Sequence, residues 1–183
     1  VLAGQAAMAV AKASLFARLR AKNQQLRSTT YRLERMLRDL ELLYELETAM
    51  IGAESVEDLA KSAIVATAPA CSAAAGALLY QTDGDLVLYV VNLDRPDDVR
   101  RVVVRPGEGV AARALRQGSL LRIDDAKRVR DPRRVQELLG LKVRSAIAVP
   151  LGSQSGSGAI ALYNHAGTPA GFTDDDGALL KLV

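Results

Sequence analysis

A glycine-rich stretch is the part of the sequence that comes closest to a cofactor motif. Gly107-Glu108-Gly109-Val-Ala-Ala112 follows a β-type run and opens a short helical pattern, in the spacing Gly-x-Gly-x-x-Ala that cradles a dinucleotide pyrophosphate. Glu108 would place a carboxylate where the pyrophosphate must sit, and the strand signals that follow predict hairpins rather than βαβ units. We therefore interpret the glycines as a tight turn into a short helix.

Other side chains that could do chemistry are too few for most catalytic sites. His165 is the only histidine and Cys71 the only cysteine, so neither a His-paired nucleophile nor a multi-histidine metal site, disulfide or thiol pair can form. Haem ligation by His165 is an alternative that we do not favour. We predict that the chain is not an enzyme and holds no cofactor that its sequence identifies.

Three acidic residues, Asp124, Asp125 and Asp131, imitate a metal cluster. Five basic residues lie between Arg122 and Arg133 beside them. Local charge neutralisation explains the acidic residues more simply than a bound cation, so we predict no metal site.

Length and charge narrow the function classes further. The 183 residues suit one globular domain with an appendage. The net charge of +3 resides in the first fifty residues, which hold eight Lys or Arg against five Asp or Glu. We interpret this excess as a solvated helix flank, since base-reading residues and aromatic stacking platforms are missing. No signal peptide or membrane-length apolar stretch is visible, so we expect a cytoplasmic protein without nucleic-acid or membrane partners.

One uninterrupted helix is predicted at the N-terminus, from Val1 to about Ile51. The segment contains no proline, and Gly4 is the only glycine before residue 52. Leucines recur every seven residues, and a second row follows them at the companion heptad spacing, which indicates a two-stranded coiled coil. The predicted dimer interface consists of Phe16, Leu19, Asn23, Leu26, Leu33, Leu37, Leu40 and Tyr44.

The middle of this coiled coil is predicted to be marginal in stability. Asn23 in a core position favours a dimer in fixed register at some cost in stability, and Thr30 weakens the same stretch. Lys22 would meet Arg27 of a parallel partner in a repulsive pair. Whether the two helices run parallel or antiparallel stays open at this point.

The rest of the chain alternates between helix and strand signals. The order predicts an α+β fold in which helices cover an antiparallel sheet. The predicted elements are a helix at 56–68, strands at 76–81, 85–92 and 100–105, a short helix ending near 117, a strand at 120–123, an irregular helical segment at 124–141, strands at 143–151 and 159–164, and a helix capped by Thr173.

Five short motifs in this order resemble those of a GAF domain across residues 40–183. They are Arg105-Pro-Gly-Glu-Gly-Val-Ala-Ala-Arg-Ala114, Asp125, Asp131-Pro-Arg133, Val143-Arg-Ser-Ala-Ile-Ala-Val-Pro-Leu151 and Phe172-Thr-Asp-Asp-Asp176. The resemblance implies a six-stranded antiparallel sheet, with the first and last helices in a dimer bundle on one face and a small-molecule pocket on the other.

The N-terminal helix carries a second resemblance. Residues 1–12 are similar to the helix that normally closes a GAF domain, and the last helix breaks off at Val183. We expect residues 1–39 to be the exit helix of an upstream domain, fused to a GAF domain at 40–183. Such helices resemble those of tandem-GAF bacterial signalling proteins, for example sensor histidine kinases of two-component systems or nucleotide cyclases, which implies an output domain in the same polypeptide.

A cyclic-nucleotide motif of the family is altered in this chain. Asn164, Phe172 and Asp176 match the Asn-Lys…Phe…Asp-Glu pattern, but His165 replaces the lysine and Gly177 the glutamate. We therefore expect neither the lysine-to-aspartate bridge nor cyclic-nucleotide binding. Relatives that reduce methionine sulfoxide or bind bilins need cysteines that this chain lacks.

Candidate ligand residues follow from the implied pocket between the sheet and residues 107–141. Alternation along the strands selects five of them, and two polar anchors are added, although each also fits a purely structural role. The candidate ligand residues are Tyr89, Val104, Ser145, Ile147 and Tyr163, with Asp125 and Arg144 as anchors.

Two functions stay open for the chain. One is a sensory module that passes a ligand- or partner-induced change along the helix, and the other is a dimerisation scaffold without a ligand.

Overall fold

The computed structural model describes residues 2–82, 84–125, 132–152, 158–167 and 171–182. The chain divides into two units, Val1–Glu41 and Leu42–Val183. The elements are α1 (Leu2–Gly52), α2 (Val56–Ala70), β1 (Ala73–Thr82), β2 (Asp85–Asn92), β3 (Arg95–Val104), α3 (Gly109–Gln117), β4 (Leu121–Ile123), α4 (Pro132–Leu139), β5 (Ala146–Leu151), β6 (Gly158–His165) and α5 (Asp174–Leu180).

The six strands form one antiparallel sheet in the order β3-β2-β1-β6-β5-β4. This confirms the predicted α+β fold class. Local signals explain several of the element boundaries. Ser55 caps α2 by accepting a hydrogen bond from the Asp58 N–H, and Thr173 forms a reciprocal capping box with Asp176 at the start of α5. Gly84 supplies the positive φ of the β1–β2 turn.

Several strand boundaries differ from the prediction, β1 among them with a start at Ala73, and two of the differences have a clear physical reason. β3 begins at Arg95 rather than near residue 100, because charged side chains suit an exposed edge strand even where strand propensity is low. β5 begins at Ala146 rather than residue 143, because the Asn164 amide takes over the hydrogen bonds that a longer strand would make. Asp131 and the glycine-rich tip at 153–157 lie outside the described residues.

The two faces of the sheet carry separate apolar clusters. One cluster joins β-sheet residues to Val110, Ala111, Ala112 and Ala114 of α3 and to Val135 and Leu139 of α4. The other joins the opposite sheet face to Ala60, Ile64 and Ala68 of α2 and Leu180 of α5. We call these the α3–α4 face and the α2–α5 face. Strand alternation assigns each sheet residue to one of them.

Candidate functional site

The α3–α4 face holds two of the predicted ligand residues, Val104 and Tyr163. Tyr163 lies opposite Ala75 of β1 on one side and Ala146 of β5 on the other. The small side chains of these neighbours leave the tyrosine as the one large group at this point of the sheet. Burial alone raises the pKa of the Tyr163 hydroxyl, so the group stays protonated at neutral pH.

Tyr89 and Ile147 lie on the opposite, α2–α5 face. In β2 the residues that reach the α3–α4 face are Leu86, Leu88 and Val90, so Tyr89, between the last two, lies on the opposite face with α2. Ile147 follows Ala146 in β5, and because side chains alternate along a strand it lies on the α2–α5 face. The placement of these two residues beneath α3 and α4 was wrong, because a one-residue change in strand parity exchanges the faces of a sheet.

Ser145 and Arg144 belong to a backbone junction between the start of β5 and the end of β6. The Asn164 Oδ1 accepts a hydrogen bond from the Arg144 N–H at 2.6 Å, and its Nδ2 donates to the Lys142 carbonyl at 2.8 Å. The buried Ser145 Oγ accepts the His165 N–H at 3.2 Å. The Arg144 side chain is exposed, as is Asp125, whose following residues 126–131 lie outside the described part.

Asn164 is expected to be the most sensitive member of this junction. Its φ of 58° lies in the left-handed region, which asparagine tolerates better than alanine. Asn164→Ala should lower the free energy of unfolding by about 2–4 kcal/mol, since two hydrogen bonds are lost and strain is added. Asn164→Gly removes the bonds without the strain and should recover about 1 kcal/mol of that loss. Chemical denaturation measures both variants; equal stability of the two would contradict the strain argument.

His165 occupies the position where the family motif has lysine, and it does contact Asp176. The His165 Nε2 lies 3.5 Å from the Asp176 Oδ2, with the two side chains 8% and 13% exposed. The Gly167 N–H donates to His165 Nδ1 at 3.0 Å, so the neutral ring carries its proton on Nε2, toward Asp176. The ring also packs edge-on against Phe172. The histidine thus replaces the contact that we expected to be lost.

The glycine-rich stretch forms the predicted turn. Gly107 and Gly109 have φ values of 80° and 82°, and α3 begins at Gly109. The Glu108 carboxylate folds back onto its own loop and accepts the Arg105 N–H at 2.8 Å. It also approaches the Arg134 guanidinium of α4 at 3.4 Å, a contact between the loop before α3 and α4 that the sequence did not suggest. Arg105, Glu108 and Arg134 border an open groove of about 540 Å³.

Cys71 is a buried thiol in the α2–α5 cluster. Burial, reinforced by the nearby Asp176, raises the pKa of Cys71 to about 12. The thiol is therefore neutral at physiological pH and lacks the thiolate character of a nucleophile. Among the described residues there is no group of three or more His, Cys, Asp and Glu placed to hold a metal ion.

The predicted dimer residues form an exposed apolar row on α1. Leu19, Leu26, Leu33 and Leu40 are 61%, 64%, 56% and 60% exposed. Phe16, Leu37 and Tyr44 of the companion row are exposed by more than half as well, and Asn23 is also exposed. Within the part of the chain that is described, no helix has both the length and the apolar character to cross a membrane.

The six-stranded antiparallel sheet with helices on both faces defines an α+β domain. The family model of the GAF domain matches residues 53–183. The chain therefore belongs to the GAF domain family. A comparison with curated proteins found no match.

Three solved structures show the same fold at low sequence identity. The GAF domain of a phosphoenolpyruvate-protein phosphotransferase from Coxiella burnetii is 18% identical, with a TM-score of 0.60 over 80% of this chain and 88% of that one. The nlh2 GAF domain of A. aeolicus is 14% identical, with a TM-score of 0.58 over 81% and 90%. Residues 122 to 287 of a methyl-accepting chemotaxis protein are 15% identical, with a TM-score of 0.57 over 75% and 88%.

Proposed function

We propose that this chain is the sensory GAF module of a cytoplasmic bacterial signalling protein, and that it acts as a homodimer rather than as an enzyme. A ligand or partner that prefers one packing of the domain would bias α1, and α1 would pass that bias to an output domain in the same polypeptide. The membership of the GAF family supports a regulatory role, and a chemotaxis protein and a putative GAF sensor protein from Burkholderia vietnamiensis share the fold.

The exposed heptad row on α1 is the observation that carries the proposal. Each of its leucines is more than half exposed in the single chain. Fully burying a leucine against a partner stabilises by about 1.5–3 kcal/mol, so a second copy of the helix offers a large gain. Beside the first leucines of that row, Lys22 and Arg27 are exposed and of like charge, which weakens a parallel pairing there.

The proposal makes Asn23 and Thr30 the weak points of the dimer. The double replacement Asn23→Leu with Thr30→Leu should tighten dimerisation at least tenfold, on the order of 1.4 kcal/mol or more, because polar core positions become apolar. Sedimentation equilibrium measures the dissociation constant. Ser28→Leu is a matched control, since it adds a leucine to an exposed position outside the predicted seam.

The two variants distinguish specific packing in the predicted seam from nonspecific hydrophobic association. Equal tightening by Ser28→Leu, or no tightening by the double variant, would contradict the assigned seam. In the full-length protein, the tightened dimer should respond less to its signal, because a stabilised helix pair resists a change of packing. An unaltered response would count against transmission through α1.

The alternative function is a dimerisation scaffold with no ligand. The close packing of three α3 alanines, Ala111, Ala112 and Ala114, into the α3–α4 cluster favours it. Both functions require the α1 dimer, and they differ in whether a small molecule occupies the α3–α4 face.

A further inference from the structure

A row of four charged residues follows one flank of the leucine row on α1. Each of them comes one position after a leucine of that row, so the four recur every seven residues. All four are exposed in the single chain, and no ion pair joins any of them to a described residue. We call this row the charged flank; it consists of Arg20, Arg27, Glu34 and Glu41.

The orientation of a second α1 decides what the charged flank meets. In a parallel pair it faces the opposite flank of the second copy, at positions 15, 22, 29, 36 and 43, where Lys22 is the only charged residue. That pairing sets Arg27 beside Lys22 and forms no attractive ion pair. In an antiparallel pair the two-fold axis is perpendicular to the helices, so the charged flank meets itself with its direction reversed. The two arginines then face the two glutamates.

One antiparallel register matches every charge of this flank with its opposite. The midpoint of the charged flank lies between residues 30 and 31. Two copies that cross at this level place Arg20 against Glu41. They place Arg27 against Glu34 as well. Each of these ion pairs occurs twice because the arrangement is symmetric, so all four charges of both copies are paired.

The apolar seam fits the same register. The row from Phe16 to Tyr44 has its midpoint at residue 30, so the two seams overlap along almost their whole length. Leu26 of one copy then lies level with the interval between Leu33 and Leu37 of the other, the position from which a side chain enters a hole of the facing helix. Charge and packing therefore select one and the same register.

Asn23 is the residue that favours the parallel orientation. There it faces its own copy, and the two amides can hydrogen-bond to each other. Against this one contact stand the repulsion between Lys22 and Arg27 in the parallel pair and the ion pairs of the antiparallel one. Exposed ion pairs are individually weak, but here they form at four places and replace a repulsion at two. The antiparallel orientation is therefore favoured.

We propose that α1 pairs with α1 of a second copy in the antiparallel orientation, in the register that sets the arginines of the charged flank against its glutamates. This deepens the proposed function by giving the geometry of its dimer, and it rests on that function. The two helices cross at the level of Thr30. The polar position that weakens the seam thus lies at the centre of the pair.

Arg27→Glu distinguishes the two orientations because its effects on them have opposite signs. In the antiparallel pair it turns the attraction to Glu34 into a repulsion, so the dissociation constant should rise about 10-fold. In a parallel pair it turns the repulsion from Lys22 into an attraction, so the constant would fall. No acidic or basic residue lies three or four positions from Arg27, so ion pairs within the helix are unchanged. Sedimentation equilibrium of the full 183-residue chain measures the constant.

Two matched variants and a salt series identify the cause. Arg27→Glu combined with Glu34→Arg exchanges the charges of an ion pair and should return the dissociation constant to within about 3-fold of the parent value. Arg32→Glu makes the same charge change at an exposed position outside the seam and both flanks, and should change the constant by less than about 3-fold. In 1 M NaCl, where the Debye length is about 3 Å, the effect of Arg27→Glu should largely disappear.

A distance between spin labels gives an independent readout. The label is attached at Arg18→Cys, an exposed position outside the seam, in a Cys71→Ala background that removes the other thiol. In the proposed register residue 18 lies level with residue 43 of the second copy, so the labels are roughly 37 Å apart along the helix axis at 1.5 Å per residue. A parallel pair would place the two labels side by side. Pulsed electron paramagnetic resonance separates these cases.

The outcomes also separate this proposal from the proposed function. A dimer that Arg27→Glu tightens or leaves unchanged, a double variant as weak as the single one, or labels that lie side by side would overturn the antiparallel pairing and leave the dimer in place. A parent chain that stays monomeric would refute the dimer itself and the orientation with it.

Discussion

Leu26→Asp is expected to convert the dimer into monomers at micromolar chain concentration. Leu26 is 64% exposed on the single helix and lies in the middle of the leucine row. Each dimer would lose two buried leucines, about 3 kcal/mol or more in total, and would gain two carboxylates in its seam. The dissociation constant should therefore rise more than 100-fold. Sedimentation equilibrium over a wide concentration range measures it.

Gln25→Asp is the matched control for this change. It introduces the same residue one position away, outside the predicted seam, on the same exposed helix. Its dissociation constant should stay within a few-fold of the parent value. A Leu26→Asp protein that remains dimeric would place the interface elsewhere, for instance on the helices of the second unit alone.

Gly76→Ala is expected to destabilise the domain markedly by adding a single carbon. A Cβ at residue 76 would lie 2.7 Å from the Ile64 Cγ2 of α2 and 3.1 Å from the Leu162 Cδ2 of β6. Both neighbours are fully buried, so neither can move freely. Overpacking of this kind costs about 1–3 kcal/mol, and a larger residue such as valine should exceed that range. Thermal or chemical unfolding measures the loss.

A double-mutant cycle identifies the cause of that loss. Ile64→Ala removes the Cγ2 that the new Cβ would strike, so the combination with Gly76→Ala should be less destabilising than the sum of the two single changes. Ala74→Val, at an exposed position of the same strand, should change stability by less than about 0.5 kcal/mol. Additive single effects would show that α2 does not pack against Gly76 as closely as the structure places it.

The fold was largely readable from the sequence because its signals are local. The β2 bounds and the Thr173 cap follow from turn residues, apolar alternation and capping chemistry within a few positions. Taken together, such local signals predict the order of the helices and strands along the chain. The predicted boundaries were wrong where a residue distant in the sequence determines them. β5 starts later than predicted because Asn164, some twenty residues further along the chain, binds the backbone at Arg144 and Lys142.

The candidate site was less readable for two physical reasons. Both faces of the sheet are apolar, so the sequence pattern does not show which alternate residues of a strand face α3. For this reason Tyr89 and Ile147 were assigned to the wrong face. The His165 contact with Asp176 joins two residues that are eleven positions apart in the sequence. The signal that could have revealed it was already present, since an imidazole can donate to a carboxylate where a lysine would.

Native mass spectrometry of the freshly purified chain tests the central claim, a ligand-sensing dimer, most directly. The expected result is a particle of twice the 19.5 kDa chain mass that carries the extra mass of a bound small molecule, released on mild activation. A dimer of bare chain mass under the same conditions would favour the scaffold function instead. A monomer across the accessible concentrations would contradict the account, because the exposed leucine row of α1 would then have no second copy to cover it.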